Sequence, residues 1–189
     1  RRRHTRYGTV TGVQTCALPI WLVFIEAPGS LTFEMQDIPA IVAASHAAGA
    51  LVAMDNTWAT PLFYRPIEHG VDISIQAGTK YLAGHSDLVL GLVTSATEEL
   101  HRTIFDSTRS FGDVASPDDC FLALRGFRTM GVRLRHQEAS ALAVTRWLAD
   151  RPEVSQVLYP ALPSDPGYAL WKRDFTGASS LFEIGRAHV

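Results

Sequence analysis

Ser74-Ile-Gln-Ala-Gly-Thr-Lys80-Tyr-Leu-Ala-Gly-His-Ser-Asp87 places one lysine directly behind an apolar, strand-like run and ahead of a glycine-bounded turn. Leu51-Val-Ala-Met-Asp55-Asn-Thr-Trp58 repeats the pattern with an acid, a short apolar strand that runs straight into a carboxylate. Working outward, Leu22-Val-Phe-Ile25 is another continuous apolar run of strand length, stopped by Glu26-Ala-Pro-Gly-Ser30. Between these runs Pro39 suits a first helical turn, and alanine-rich Ala40 to Ala48 ends at Gly49 as a C-terminal cap. Strand, short helix, strand is a βαβ unit, which requires a parallel sheet with right-handed crossovers. Further strands are expected over Ala50 to Met54, Val71 to Gln76 and Leu88 to Thr94, with a loop or short helix from Pro61 to Gly70. The fold class is therefore α/β.

Open α/β sheets bind ligands in the crevice beyond the carboxyl ends of their strands. Lys80 and Asp55 each follow or end such a strand, so both can reach one crevice. A lysine amine becomes a nucleophile when burial or neighbouring charge lowers its pKa, and its usual covalent use is a Schiff base, pyridoxal phosphate (PLP) included. PLP chemistry needs an acid that keeps the pyridine nitrogen protonated, because the protonated ring is the electron sink. Taken singly, each residue has a plainer reading. Most lysines lie on the surface, and an aspartate behind a strand is commonly a turn or cap residue. The pair carries the inference.

The second half begins with a strong helix start at Ser116-Pro117-Asp118-Asp119, a serine cap followed by proline and two carboxylates at the positive helix end. Leu122, Leu124 and Phe127 continue it at helical spacing, with a bend expected near Gly126 or Gly131 before Trp147 and Arg151-Pro152. Arg125, Arg128, Arg133 and Arg135 form a basic set, read as a solvated or interface-facing helix surface. Val154 to Tyr159 and Ser179 to Phe182 are expected strands of a second domain.

Composition narrows the functional classes. With 47% apolar and 19% charged residues the chain is globular, not disordered. A net charge of −2 offers no general attraction to nucleic acid or anionic membrane. The longest apolar run, Ala17 to Ile25, falls well short of the ~20 residues of a membrane span. Cys16 and Cys120 make no disulfide framework, which fits a reducing cytoplasm, and the histidines show no H-x-x-x-H spacing for a metal. Arg1-Arg-Arg-His-Thr-Arg6 could be a nucleic-acid arm by composition alone. Residues 1–20, Thr11-Gly-Val-Gln-Thr-Cys-Ala-Leu-Pro-Ile20 in particular, instead resemble translated sequencing-adapter sequence, as do residues 183–189. The expectation is an internal fragment of a longer enzyme.

Five stretches, in order, resemble the Cys/Met-metabolism PLP-dependent enzyme family. They are Asp55-Asn-Thr-Trp-Ala59, Gly78-Thr-Lys80-Tyr-Leu-Ala-Gly-His-Ser-Asp87, Leu124-Arg-Gly-Phe-Arg-Thr-Met-Gly-Val-Arg-Leu-Arg135, Tyr159-Pro-Ala-Leu-Pro163 and Trp171-Lys-Arg-Asp-Phe-Thr-Gly177. The resemblance runs from about Trp21 to Phe182. It implies the PLP-dependent aminotransferase-like (fold type I) architecture, with residues 21–126 in the cofactor-binding domain and 127–182 opening a small C-terminal α/β domain. It also implies a homotetramer acting on a small amino acid, with Lys80 as the Schiff-base lysine and Asp55 on the ring nitrogen.

Thr79, beside the lysine, and Thr57 are the implied contacts to further cofactor groups, although hydroxyls beside turns as often serve the local backbone. His85 and Asp87 read as structural, holding the turn. One departure stands out: many relatives carry a serine where this chain has Ala77. Asn56-Thr57-Trp58 and Gln76-Ala77 lean toward the branch that eliminates at Cβ, giving homocysteine, pyruvate and ammonia from cystathionine. A γ-type relative and an inactive truncated polypeptide remain the alternatives. In relatives the ring-stacking aromatic, the glycine-rich phosphate loop and the arginine for the substrate carboxylate lie outside the stretch present here.

Overall fold

A computed structural model describes residues 20–186. Its main sheet has four strands in the order β1 (Leu22–Glu26), β2 (Leu51–Asp55), β3 (Ile73–Ala77) and β4 (Gly91–Ser95). β1, β2 and β3 run parallel, with Glu26 beside Asp55 and Asp55 beside Ile75, so their carboxyl ends share one edge. β4 returns antiparallel on β3, from Ile73 beside Ser95 to Ala77 beside Gly91. The loop carrying Lys80 therefore closes back on the strand edge it left and makes no crossover. Val52, Ala53 and Met54 are buried on β2, as expected for a central parallel strand covered on both faces.

Helix α1 (Ile38–Ala47) makes the crossover from β1 to β2. Asp37 caps its start by accepting from the Ala40 N–H at 3.3 Å. Gly49, at φ +74°, ends it: the Gly49 N–H reaches His46 O at 3.0 Å and the Ala50 N–H reaches Ser45 O at 2.9 Å. That is the paired C-terminal closure which favours glycine, and it sits where the sequence puts it. A short helix α2 (Thr60–Phe63) and a 3₁₀ turn over Pro66–His69 then lead into β3.

Three features differ from the sequence expectations. Helix α3 (Glu98–Phe111) follows β4 where no helix was expected, capped by Thr97 and carrying Glu98 and Glu99 in its first turn. None of its residues is fully buried, but Leu100, Ile104 and Thr108 lie half-buried at helical spacing along one face, a stripe the sequence carried and the reading passed over. The expected long helix is two, α4 (Pro117–Phe127) and α5 (Met130–Ala149), broken between the two glycines that were expected to bend it. The expected strand at Ser179 to Phe182 is displaced: β5 (Val154–Leu158) pairs antiparallel with β6 (Glu183–Arg186).

Residues 154–182 pack directly on the main sheet's layer. Trp58 meets Tyr159 and Phe175 edge-on, and its Nε1 donates to Leu181 O at 2.9 Å. Phe175 stacks on Tyr64 with ring centroids 4.4 Å apart. Helix α6 (Tyr168–Asp174) carries Arg173, which bridges to the Asp37 cap of α1 at 2.8 Å. One apolar cluster thus runs from Ile25 and Met54 through Trp58 to Tyr159 and Ala178.

Candidate functional site

A cavity of about 800 Å³ opens beside the carboxyl edge of the parallel strands. Lys80, Thr57 and Thr79 all line it, so three of the four expected site residues come together. Asp55 does not reach the wall. It ends β2 half-buried, and its carboxylate accepts from the Thr57 N–H at 2.8 Å. The acid is thus held by the backbone of a residue on the wall.

Backbone geometry explains how Lys80 is presented. The Lys80 N–H donates to Ala77 O at 3.0 Å, and the Lys80 carbonyl accepts from the Gly84 N–H at 2.7 Å. Gly78 packs closely on the approach to β4: a Cβ there would displace Leu92 Cδ1, 2.4 Å away, and crowd Leu90 O at 3.2 Å. The chain therefore turns tightly off β3 and leaves the Lys80 side chain exposed toward the cavity.

The two threonines differ in what they have left to offer. Thr57 Oγ1 accepts from the Ala77 N–H at 2.8 Å, tying the end of β2 to the end of β3. Its own proton has no acceptor among the described residues. Thr79 Oγ1 donates to Leu90 O at 3.3 Å and accepts from Leu90 N–H at 2.9 Å, which closes the lysine turn onto the approach to β4. The plainer role for a hydroxyl beside a turn holds for both, and Thr57 alone keeps a donor.

The loop beyond Lys80 is held by arginines that the sequence suggested were solvated. Arg125 pairs with Asp87. Arg133 Nη2 donates to the carbonyls of Tyr81 at 2.9 Å, Leu82 at 3.2 Å and Gly126 at 2.9 Å. Burial pulls its guanidinium down from the usual arginine range. His85 Nδ1 lies 2.6 Å from Ala83 O, so that nitrogen carries the hydrogen and donates. The structural reading of His85 and Asp87 fits these contacts.

Sequence reasoning did not single out several residues of the wall. Glu26 ends β1 as Asp55 ends β2, and its carboxylate accepts from Ser30 Oγ at 2.7 Å. The strand-end acid was visible in the sequence and passed over. Arg133 and Gln137, one turn apart on α5, also line the cavity, but only the tertiary fold brings them there. Among the described residues no group of three or more His, Cys, Asp or Glu is placed to hold a metal, and no helix is long and apolar enough to cross a membrane.

Known proteins resemble this chain closely. A Rhizobium johnstonii protein provisionally named a cystathionine beta-lyase is 56% identical over 163 residues, covering 86% of this chain and 41% of that protein. The cystathionine beta-lyase of Salmonella typhimurium is 45% identical over 165 residues, 86% of this chain and 42% of its own length. Among solved structures, cystathionine gamma synthase from Xanthomonas oryzae pv. oryzae superposes with a TM-score of 0.86 at 35% identity, over 88% of this chain and 43% of that one. The chain spans 41% to 48% of the length of the first curated relatives it matches. The family model for Cys/Met metabolism PLP-dependent enzymes matches residues 14–187, and with it the fold-type-I architecture: the chain belongs to that family.

Proposed function

We propose that this chain forms the lysine-bearing part of a PLP-dependent carbon–sulfur lyase that cleaves L-cystathionine by β-elimination. The observation that carries the reading is the convergence of Lys80, Thr57 and Thr79 on one cavity at the edge where β2 ends in Asp55. The residues fit the cofactor. The cavity is of the size that encloses a small aromatic phosphate. Lys80 is exposed to it and Thr57 keeps a hydroxyl proton for a phosphate oxygen, while Asp55, held just off the wall by the Thr57 N–H, is the carboxylate that the family resemblance assigns to a pyridinium.

When bound, PLP supplies the electron sink that stabilises charge developing at the substrate Cα. Lys80 Nζ would hold it, and the same amine would take the proton from the substrate Cα. Asp55 would hold the proton on the ring nitrogen. Trp58 walls the cavity with its indole pinned to Leu181 O. The Cβ–S bond breaks with its electron pair on sulfur, releasing homocysteine, and the three-carbon remainder takes up water to become pyruvate and ammonia.

The β-lyase reading draws support from relatives of that name at 45% identity and above. A second reading has a specific observation behind it: the L-alanine/L-glutamate racemase of Wolbachia pipientis wMel is 43% identical over 163 residues. Removal and return of a Cα proton by Lys80 would suffice for that chemistry. We place residues 21–126 in the cofactor-binding domain and 127–182 at the start of the second, within a homotetramer. The test uses a protein carrying this chain at the length of its relatives, loaded with PLP. Pyruvate from cystathionine supports β-elimination, 2-oxobutyrate indicates γ-chemistry, and D-alanine from L-alanine without either product supports the racemase reading.

A further inference from the structure

Arg133 is a half-buried cation with no carboxylate partner among the described residues. Its compensation is backbone: Nη2 faces three carbonyls, Tyr81 and Leu82 on the loop beyond Lys80 and Gly126 on α4. Two N–H groups serve three acceptors, so one hydrogen is shared. Nε donates to Thr129 Oγ1 at 3.0 Å, which fixes the plane of the fork. Charge-assisted bonds of this kind are roughly twice as strong as neutral ones.

The contact has no slack. A Cβ on Gly84 would lie 2.1 Å from Arg133 Nη1, and a Cβ on Gly126 would lie 2.0 Å from Ala83 O. Both glycines are needed for the loop to lie flat against the α4–α5 junction. Gly84 sits at φ +71° and its N–H returns to the Lys80 carbonyl at 2.7 Å. The guanidinium therefore grips the segment that closes directly on the lysine's own peptide, and it does so from the cavity wall.

We infer that Arg133 is a positioning residue for Lys80: by holding residues 81–84 against the α4–α5 junction it fixes the backbone from which the amine enters the cavity. The inference rests on the reading of Lys80 as the cofactor lysine. A lysine in place of Arg133 keeps the charge but cannot reproduce the rigid fork that reaches three carbonyls and a hydroxyl at once.

The experiment compares Arg133→Ala, Arg133→Lys and Thr129→Val in the full-length, PLP-loaded protein carrying this chain. Arg133→Ala is expected to lower kcat about 100-fold, the scale of a 1 Å misplacement, with KM within about threefold. Amide hydrogen exchange should accelerate over residues 80–84 and stay unchanged in β2 and α1. Arg133→Lys should recover only part of the loss. Wild-type kcat in Arg133→Ala overturns the inference. So does a fall in kcat accompanied by faster exchange throughout β2 and α1, because Arg133 would then only hold the fold together. Should Arg133→Ala fail to fold, Thr129→Val decides alone: a lower kcat with local loosening supports the role, and neither change overturns it. Failure of the cofactor reading is separately visible, since Lys80→Ala would then retain the visible absorption band while the exchange results stood.

Discussion

The loop that follows Lys80 and the helix that follows β4 are both surface segments, yet they are held in opposite ways. The loop is fixed from outside itself: Arg133 on its carbonyls, Arg125 on Asp87, Gly126 pressed against Ala83 and Thr79 laced to Leu90. Helix α3 is fixed largely from within, by the Thr97 cap, the Glu98–Arg102 pair and the left-handed Gly112 end, and its inward face of Leu100, Ile104 and Thr108 is only half-buried. Its apolar residues stand in the open, with Phe111 79% exposed. A segment positioned by tertiary contacts tolerates few changes, whereas one built on local signals tolerates many. The difference separates the segment beside the cavity from the one left facing outward.

The comparison is broken most directly at the lysine. Lys80→Ala should leave the loop's clamps in place, because none of them uses the side chain, and abolish both turnover and the visible absorption of the PLP-loaded protein. A retained band would show that another group holds the cofactor. Asp55→Asn is the next largest effect. The amide still accepts from Thr57 N–H, so the turn survives, but it carries no charge to hold a proton on the ring. Removing one partner of a buried charged pair costs about 3–5 kcal/mol. If that loss falls on the transition state, at about 1.4 kcal/mol per tenfold, kcat drops roughly 100-fold or more. Turnover within about threefold of wild type would assign the ring's proton to another residue.

Much of this arrangement was legible because it is written locally. The Gly49 closure of α1, the Ser116 cap of α4 and the position of Asp55 at the end of β2 follow from short-range rules and are where the sequence puts them. The strands expected at Val71 to Gln76 and Leu88 to Thr94 begin two and three residues later, at Ile73 and Gly91. The arginine clamp was not legible. Arg133 lies 53 positions after Lys80 in the chain and carries no periodic signal of its own. A basic run on a helix reads as solvated unless the fold shows which carbonyls it meets. Helix α3 went unread although Thr97 caps it and Leu100 and Ile104 fall at helical spacing, because its inward stripe is short and only half-buried. The displaced second-domain strand has a different cause. Residues 183–186 read as foreign sequence, yet they pair with β5 while Ser179 is buried behind Tyr159, whose hydroxyl donates to Ser179 O at 2.7 Å.

Gly126→Ala sharpens the contrast without touching the cavity. Alanine is the better helix former by about 1 kcal/mol. Here its methyl would collide with the Ala83 carbonyl, and neither backbone can give way while Arg133 binds both sides. Overpacking of this kind costs about 1–3 kcal/mol, so the net change should be destabilising. The urea midpoint should fall, and exchange should accelerate at residues 80–84 before it does elsewhere. A raised midpoint would mean that helix propensity outweighs the close approach and that the loop is less tightly seated than its contacts indicate.

The smallest stability effect belongs to α3. Phe111→Ser removes an aromatic ring that covers nothing among the described residues, so the unfolding free energy should change by no more than about 0.5 kcal/mol. Association should change more than stability does. Phe105 and Phe111 on this helix, Val114 just beyond it and Phe121 on α4 are all exposed, and apolar surface of that kind favours contact with a second copy. Sedimentation velocity on the wild-type chain and on Phe105→Ser/Phe111→Ser should show less self-association in the variant, at an unchanged melting midpoint. A midpoint lowered by several degrees would show that Phe105 and Phe111 also pack on the chain itself. The opposition between an externally clamped loop and a self-supported helix would then be wrong at its weaker end.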